Sequence, residues 1–216
     1  RIVIYGNSLG ATTAPLVAQA HPVAGIVVNG GGALTYFERM IQFDRIQLQR
    51  KADFDPVAID REMNRRIRFH HHYLLEKMTP AAIEQTYPDL VGVWASLHGT
   101  VNEPPHYGRP YAWHWQAAEQ DWLAAWAKVE SPIMVVYGEF DQFEGRAGHR
   151  AIVETVERLR PGSTRWLEIP SAGHDLRIYP DALSAFRWEG GVRQPDLFVE
   201  PVAAWLREVA GRPQER

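Results

Sequence analysis

Cysteine is absent from the 216-residue chain, which excludes disulfides and thiolate chemistry but does not decide the compartment; the cytoplasm is the expectation. No run of roughly eighteen consecutive apolar residues occurs, so no membrane span is expected. Charge of one sign is not in excess. The 23 Lys and Arg stand against 26 Asp and Glu, a formal net charge of −3, with no long basic run. That balance argues against nucleic acid or an anionic membrane as the main partner. Internal repeats and low-complexity segments are lacking too, and no signal peptide is visible. The chain opens on Arg1, not Met, already inside a predicted strand, so an N-terminally truncated sequence is expected. What is present, 45% hydrophobic residues over this length, suffices for one sizeable core.

The chain is organised around residues 1–20. Ile2 to Tyr5 is a short apolar run that predicts a buried strand, Gly6-Asn7-Ser8-Leu9-Gly10 follows at once, and Ala11 to Ala20 predicts a helix of small residues. A G-x-S-x-G between strand and helix matches the nucleophile elbow, in which a serine is held on a sharp turn. Side chains at Gly6 or Gly10 are expected to collide with the neighbouring elements. Ser8 would project at a helix start, where backbone N–H groups and the helix dipole favour a developing negative charge.

A second strand is predicted over Val23–Asn29, giving a βαβ unit with parallel strands, and Gly30-Gly31-Gly32 after it is expected to be a flexible exit. Residues 33–130 then turn helical, charged and aromatic. Leu34, Phe37, Ile41 and Leu48 predict one helix, and Asp55-Pro56 starts another, with Asp55 as N-cap. Ile59, Met63, Ile67, His71, Leu74 and Met78 fall on one face of that second, long helix. Thr79-Pro80 restarts the chain, residues 99–110 read as loop, and Trp115–Val129 as a further helix with Trp122, Trp126 and Val129 buried. His70-His71-His72 cannot all bind one metal, because consecutive helical residues point about 100° apart. A polar helix face with one histidine turned inward is the expectation, and no metal is assigned.

The alternating pattern returns with a strand over Pro132–Tyr137, a helix over Arg146–Leu159, a strand over Thr164–Ile169, and a closing helix from Glu200-Pro201. Ser8, Asp141 and His174 each fall just past the carboxyl end of a predicted parallel strand, and hence on one edge of one sheet. A serine hydroxyl needs a base to take its proton, a histidine titrates near neutrality and can take and return it, and a carboxylate fixes the imidazole tautomer. The chain order Ser, acid, His is that expected of the nucleophile-elbow fold. Glu139 is the rival acid, set closer to the strand, and Asp175 reads as structural.

On the elbow, the run Val-Val-Tyr-Gly-Glu-Phe-Asp ending at Asp141, and Ala172-Gly173-His174, the chain resembles the α/β-hydrolase fold superfamily. More narrowly it is similar to bacterial serine hydrolases, peptidase- or esterase-like, with a long helical cap. The resemblance implies an α/β fold, the C-terminal part of an α/β-hydrolase: a parallel sheet flanked by helices, residues 1–32 and 131–216, its first strands missing, with residues 33–130 as an inserted cap over the strand ends. It implies Ser8 as nucleophile, His174 as general base and acid, Asp141 as orienting carboxylate, and the Leu9 backbone N–H as one oxyanion-hole donor. The second donor would lie upstream of Arg1. Asn7 and Ala11 are mild departures from the family pattern. The implied function is hydrolysis of an ester, amide or related acyl bond, in a small-molecule or peptide-like substrate, through an acyl-enzyme and without cofactor. Acyl transfer, carbon–carbon bond hydrolysis, or a non-catalytic binding or scaffold role on the same fold are the alternatives.

Overall fold

Val3–Asn7 forms β1, Gly25–Asn29 β2, Ile133–Gly138 β3 and Thr164–Ile169 β4 in the computed structural model, which describes residues 2–50, 55–98 and 109–211. The strands pair in the order β1-β2-β3-β4, all parallel. Parallel neighbours need a crossover. Helix α1 (Leu9–Ala20) supplies it between β1 and β2, α8 (Arg146–Leu159) between β3 and β4, and a large helical region is inserted between β2 and β3. This is the parallel sheet flanked by helices that the sequence predicts. Every residue of β2 and β3 is buried. Alternate side chains explain why. Ile26, Val28, Ile133 and Val135 pack with Ala11 and Ala14 of α1, Ile152 and Val156 of α8, and Trp126. Val27, Met134 and Val136 pack on the opposite face with Ile169 and with Trp205 and Val209 of the last helix, α9 (Asp196–Gly211). A sheet covered on both faces needs apolar residues without a polar alternation.

Several boundaries shift from those predicted. β1 runs through Gly6 and Asn7, so the turn is confined to Ser8, and α1 starts at Leu9. The last helix starts at Asp196, not at Glu200-Pro201, and Pro201 lies inside it. The chain divides into two compact units, Arg1–Leu34 with Trp122–Arg216, and Thr35–Asp121. Among the described residues no helix is long and apolar enough to cross a membrane.

The second unit is helical: α2 (Tyr36–Gln49), α3 (Pro56–His70), a π turn over His71–Leu75, α4 (Pro80–Thr86), α5 (Val93–His98) and α6 (Tyr111–Ala118). Its helix starts follow local chemistry. The Asp55 carboxylate accepts the Val57 N–H at 3.0 Å, Thr79 accepts from Ala82, and Thr35 with Glu38 forms a reciprocal capping box that the sequence reading passed over. The single stripe predicted over Ile59–Met78 is buried at Ile59, Met63 and Leu74 but not along its whole length. Ile59, Met63, Arg66, Phe69 and His70 face inward from α3, whereas Ile67 and His71 are exposed. The π turn re-phases the helix there, so a period of 3.6 fails across it. The helix predicted over Trp115–Val129 is two, α6 and α7 (Trp122–Ala127), broken at Glu119–Asp121. Trp122, Trp126 and Val129 are nevertheless buried as expected. Residues 99–108 of the predicted loop lie outside the described residues.

A buried charge cluster holds α2 to α3. Asp44 lies 3.2 Å from an Arg66 guanidinium nitrogen and 2.8 Å from His70 Nε2, all three at 2% exposure or less. Arg66 also reaches Glu62 at 3.2 Å and donates to the Ser96 hydroxyl and carbonyl. Removing one partner leaves a charge buried without compensation, so Asp44→Ala is expected to cost about 3–5 kcal/mol. Urea unfolding of the variant checks this, and a loss below about 1 kcal/mol would show that Arg66 finds water.

Candidate active site

The turn after β1 is built around one strained residue. Ser8 has φ 53° and ψ −118°, a conformation that an L-residue adopts only at a cost on the order of 1–3 kcal/mol. Its N–H donates to the Asn29 carbonyl at 2.9 Å, and its own carbonyl accepts from Ala11 at 3.0 Å as α1 begins. So sharp a strand-to-helix turn brings backbones together. A Cβ on Gly6 would lie 2.6 Å from the Gly10 oxygen and 2.7 Å from its carbonyl carbon, both backbone atoms that cannot move aside. The same does not hold at Gly10, where a Cβ would meet nothing within 4 Å, so the collision expected at that position is absent. Leu9 is the first residue of α1, where a backbone N–H has no acceptor within the helix.

Asp141 follows β3 by three residues and is buried. Its Oδ1 accepts the Phe143 and Glu144 N–H groups at 2.8 and 2.9 Å, which fixes the carboxylate plane. His174 follows β4 and puts Nδ1 at 3.1 and 3.0 Å from the two Asp141 oxygens. Glu139, the rival acid, instead accepts the Ser171 N–H at 2.8 Å, and Asp175 is tied to Arg177 and to the Tyr179 hydroxyl. Burial pulls the His174 pKa down. The hydrogen bond and charge of Asp141, with the charges of Glu144 and Asp175, outweigh it and leave the imidazole raised above its ordinary value of 6.5.

Three supports escaped the sequence reading. Gln142, 1% exposed, accepts the His174 backbone N–H through Oε1 at 3.2 Å. The Phe143 ring stands edge-on to His174 with centroids 4.9 Å apart. The third is the glycine run after β2, which is buried and close-packed, and not a flexible exit. Gly30 has φ +66°, and a Cβ there would lie 2.6 Å from His174 Cε1. A Cβ on Gly31 would lie 2.7 Å from Ala11 Cβ and 2.9 Å from the Ser8 carbonyl oxygen. The loop therefore touches both the Ser8 turn and the His174 ring. Three glycines at the carboxyl end of a parallel strand were the available signal for it. Of the three sequence-predicted side chains, Asp141 and His174 are directly paired, and Ser8 is bonded through its backbone to Asn29 at the end of β2, just before the glycine loop that packs against the histidine ring.

Residues 1–186 match the model of the alpha/beta hydrolase family, and the chain belongs to that family. No curated protein matches it. Among solved structures it is similar to a thermophilic esterase from Thermogutta terrifontis, at 17% identity and TM-score 0.47, over 97% of this chain and 65% of that one. It is also similar to a meta-cleavage product hydrolase from Pseudomonas fluorescens IP01, at 16% identity and TM-score 0.47, over 96% of this chain and 65% of that one. The chain thus spans about two thirds of the length of these structures.

Proposed function

We propose that the chain carries the catalytic residues of a serine hydrolase acting on an ester, amide or related acyl bond, with Ser8 as nucleophile, His174 as general base and acid, and Asp141 as the orienting carboxylate. The observation that carries this reading is the pairing of His174 Nδ1 with both oxygens of a buried carboxylate, together with a serine in strained backbone geometry at the end of β1. In the proposed reaction His174 takes the Ser8 proton through Nε2 as Oγ bonds to the acyl carbon. The leaving group departs with that proton. Water then repeats the step in reverse, releasing the acid and restoring Ser8. The Leu9 N–H at the start of α1 donates to the oxyanion as it develops. Asp141 keeps the Nδ1–H tautomer, so that Nε2 is the basic nitrogen, and stabilises the imidazolium. The carboxyl end of the sheet, where all three residues emerge, is where ligands of open parallel sheets bind.

Intact-mass analysis after fluorophosphonate treatment tests the assignment, on the 216-residue chain and on the product of the complete reading frame that contains it. A single adduct, absent in Ser8→Ala, is expected in at least the latter. No adduct on either folded protein, beside a control hydrolase that reacts, would favour a non-catalytic binding role.

Gly30→Ala probes the loop under the histidine. The methyl would have to displace the imidazole ring, and alanine is disfavoured at positive φ by about 1–2 kcal/mol. Misplacing a catalytic group by about 1 Å can cost on the order of 100-fold, so kcat is expected to fall by about that factor, with little change in KM. Steady-state kinetics on an activated ester checks it, and an unchanged kcat would show that His174 does not depend on this loop.

A further inference from the structure

The histidine triplet takes no part in the chemistry above. His70 is turned inward onto Asp44, but His71 and His72 both reach one carboxylate. His72 Nδ1 lies 2.7 Å from Glu76 Oε2, and His71 Nε2 lies 3.3 Å from Glu76 Oε1. One donor atom from each of the three residues lies within 4.8 Å of the other two. The backbone explains how adjacent histidines can converge. In an α-helix, residues five apart are separated by roughly 140° and face different ways. Over His71–Leu75 the chain forms a π turn, closed by the Glu76 N–H donating to the His71 carbonyl at 3.2 Å. A π turn stacks residues five apart, so Glu76 lies under His71 as well as under His72, four residues before it. Such single π turns occur often at functional sites.

We propose that His71, His72 and Glu76 form a binding site for a borderline-soft divalent cation, zinc fitting best, with water completing the coordination. Two imidazoles and one carboxylate suit zinc, whereas calcium and magnesium prefer oxygen alone. Ligand atoms about 2.0–2.1 Å from a tetrahedral zinc stand about 3.3 Å apart, and one donor atom from each of the three residues already lies within 4.8 Å of the others, so small side-chain rotations bring them to that spacing. The site is partly preorganised. The His72 ring stacks on Tyr87 with centroids 4.0 Å apart and planes 13° apart, and its side chain is mostly buried. His71 and Glu76 are half-exposed, which leaves an approach for the ion and for water. The angular argument against all three histidines still holds, since His70 faces away.

Zinc titration of the 216-residue chain against a chromophoric competitor is the test, with His71→Ala, Glu76→Gln and the exposed His21→Ala as variants. One zinc per chain is expected, bound at least about tenfold more weakly in His71→Ala and in Glu76→Gln and unchanged in His21→Ala. Cobalt should give the absorption of a four-coordinate site in the wild type and lose it in Glu76→Gln. Circular dichroism establishes that both half-exposed substitutions leave the fold intact. Absence of zinc binding, or one-to-one binding that survives both substitutions, would overturn the proposal.

Discussion

Ser8→Ala is expected to lower kcat on an activated ester by a factor on the order of 10⁴ or more, with the fold unchanged. Without the hydroxyl His174 has no proton to take and no acyl bond can form on the chain. Alanine tolerates the φ of 53° no better than serine, so stability should stay within about 1 kcal/mol of wild type. Glycine should behave differently. Ser8→Gly is expected to be as inactive as Ser8→Ala yet more stable, by about 1 kcal/mol, because glycine adopts this backbone without strain. Kinetics and denaturant melts on the two variants separate chemistry from strain. Activity within tenfold of wild type in either would remove Ser8 from the mechanism.

Strands β2 and β3 were readable because strands buried on both faces must be written as short runs of Ile and Val, as in Gly25–Asn29 and Ile133–Gly138, whereas the strand at Ile2–Tyr5, expected to be buried, is an edge strand with Ile2, Val3 and Tyr5 exposed. The shared sheet edge of Ser8, Asp141 and His174 followed from strand ends, and the choice of Asp141 over Glu139 from the family resemblance. What the pattern could not give was whatever depends on non-local contact or on a departure from a regular period. The one inward-turned histidine that was expected is His70, but its burial against Asp44 and Arg66 was not legible, because charges can be buried once they are paired. A strict four-residue spacing drifts about 40° per step around a helix, which turned Ile67 and His71 off the buried face, and the π turn from His71 then shifted the phase so that Tyr73 and Leu74 are buried. Gly30 looked like a loose exit, since a sequence does not show that an imidazole from residue 174 rests on it. Gln142 was invisible for the same reason.

Asp141→Asn is expected to reduce kcat by about 10⁴ and to move the acid limb of the pH–rate profile to lower pH. The amide oxygen can still accept from Phe143 and Glu144, so the loop keeps its shape. The amide nitrogen then faces His174 Nδ1 and favours the tautomer whose Nε2 carries the proton, which is useless as a base. Burial lowers the His174 pKa, but the Asp141 bond and charge, with Glu144 and Asp175, raise it overall above 6.5. In the wild type the base form therefore appears only as pH climbs through that raised value, and the limb lies above pH 6.5. Loss of the carboxylate removes the largest raising influence, so the limb falls. The linkage to stability has the matching sign. A histidine raised in the folded state contributes stability that is full below its unfolded value, near 6.5, and lost as pH rises through the folded value. The stability gap between wild type and Asp141→Asn should therefore narrow as pH rises above 6.5. Buried His149, which burial lowers, acts in the opposite sense, and losing the Asp141 charge, which offsets part of that lowering, moves it further down in the variant. A limb that does not move would mean that another group governs it.

The most direct measurement is a rapid-quench experiment with a p-nitrophenyl ester on the product of the complete reading frame, followed by peptide mapping of the trapped protein. The account predicts a burst approaching one p-nitrophenol per active chain, with the acyl group on the peptide that contains Ser8. Turnover with no acyl group on that peptide, or with the group on another residue, would contradict the assignment of Ser8, His174 and Asp141 as a hydrolytic triad.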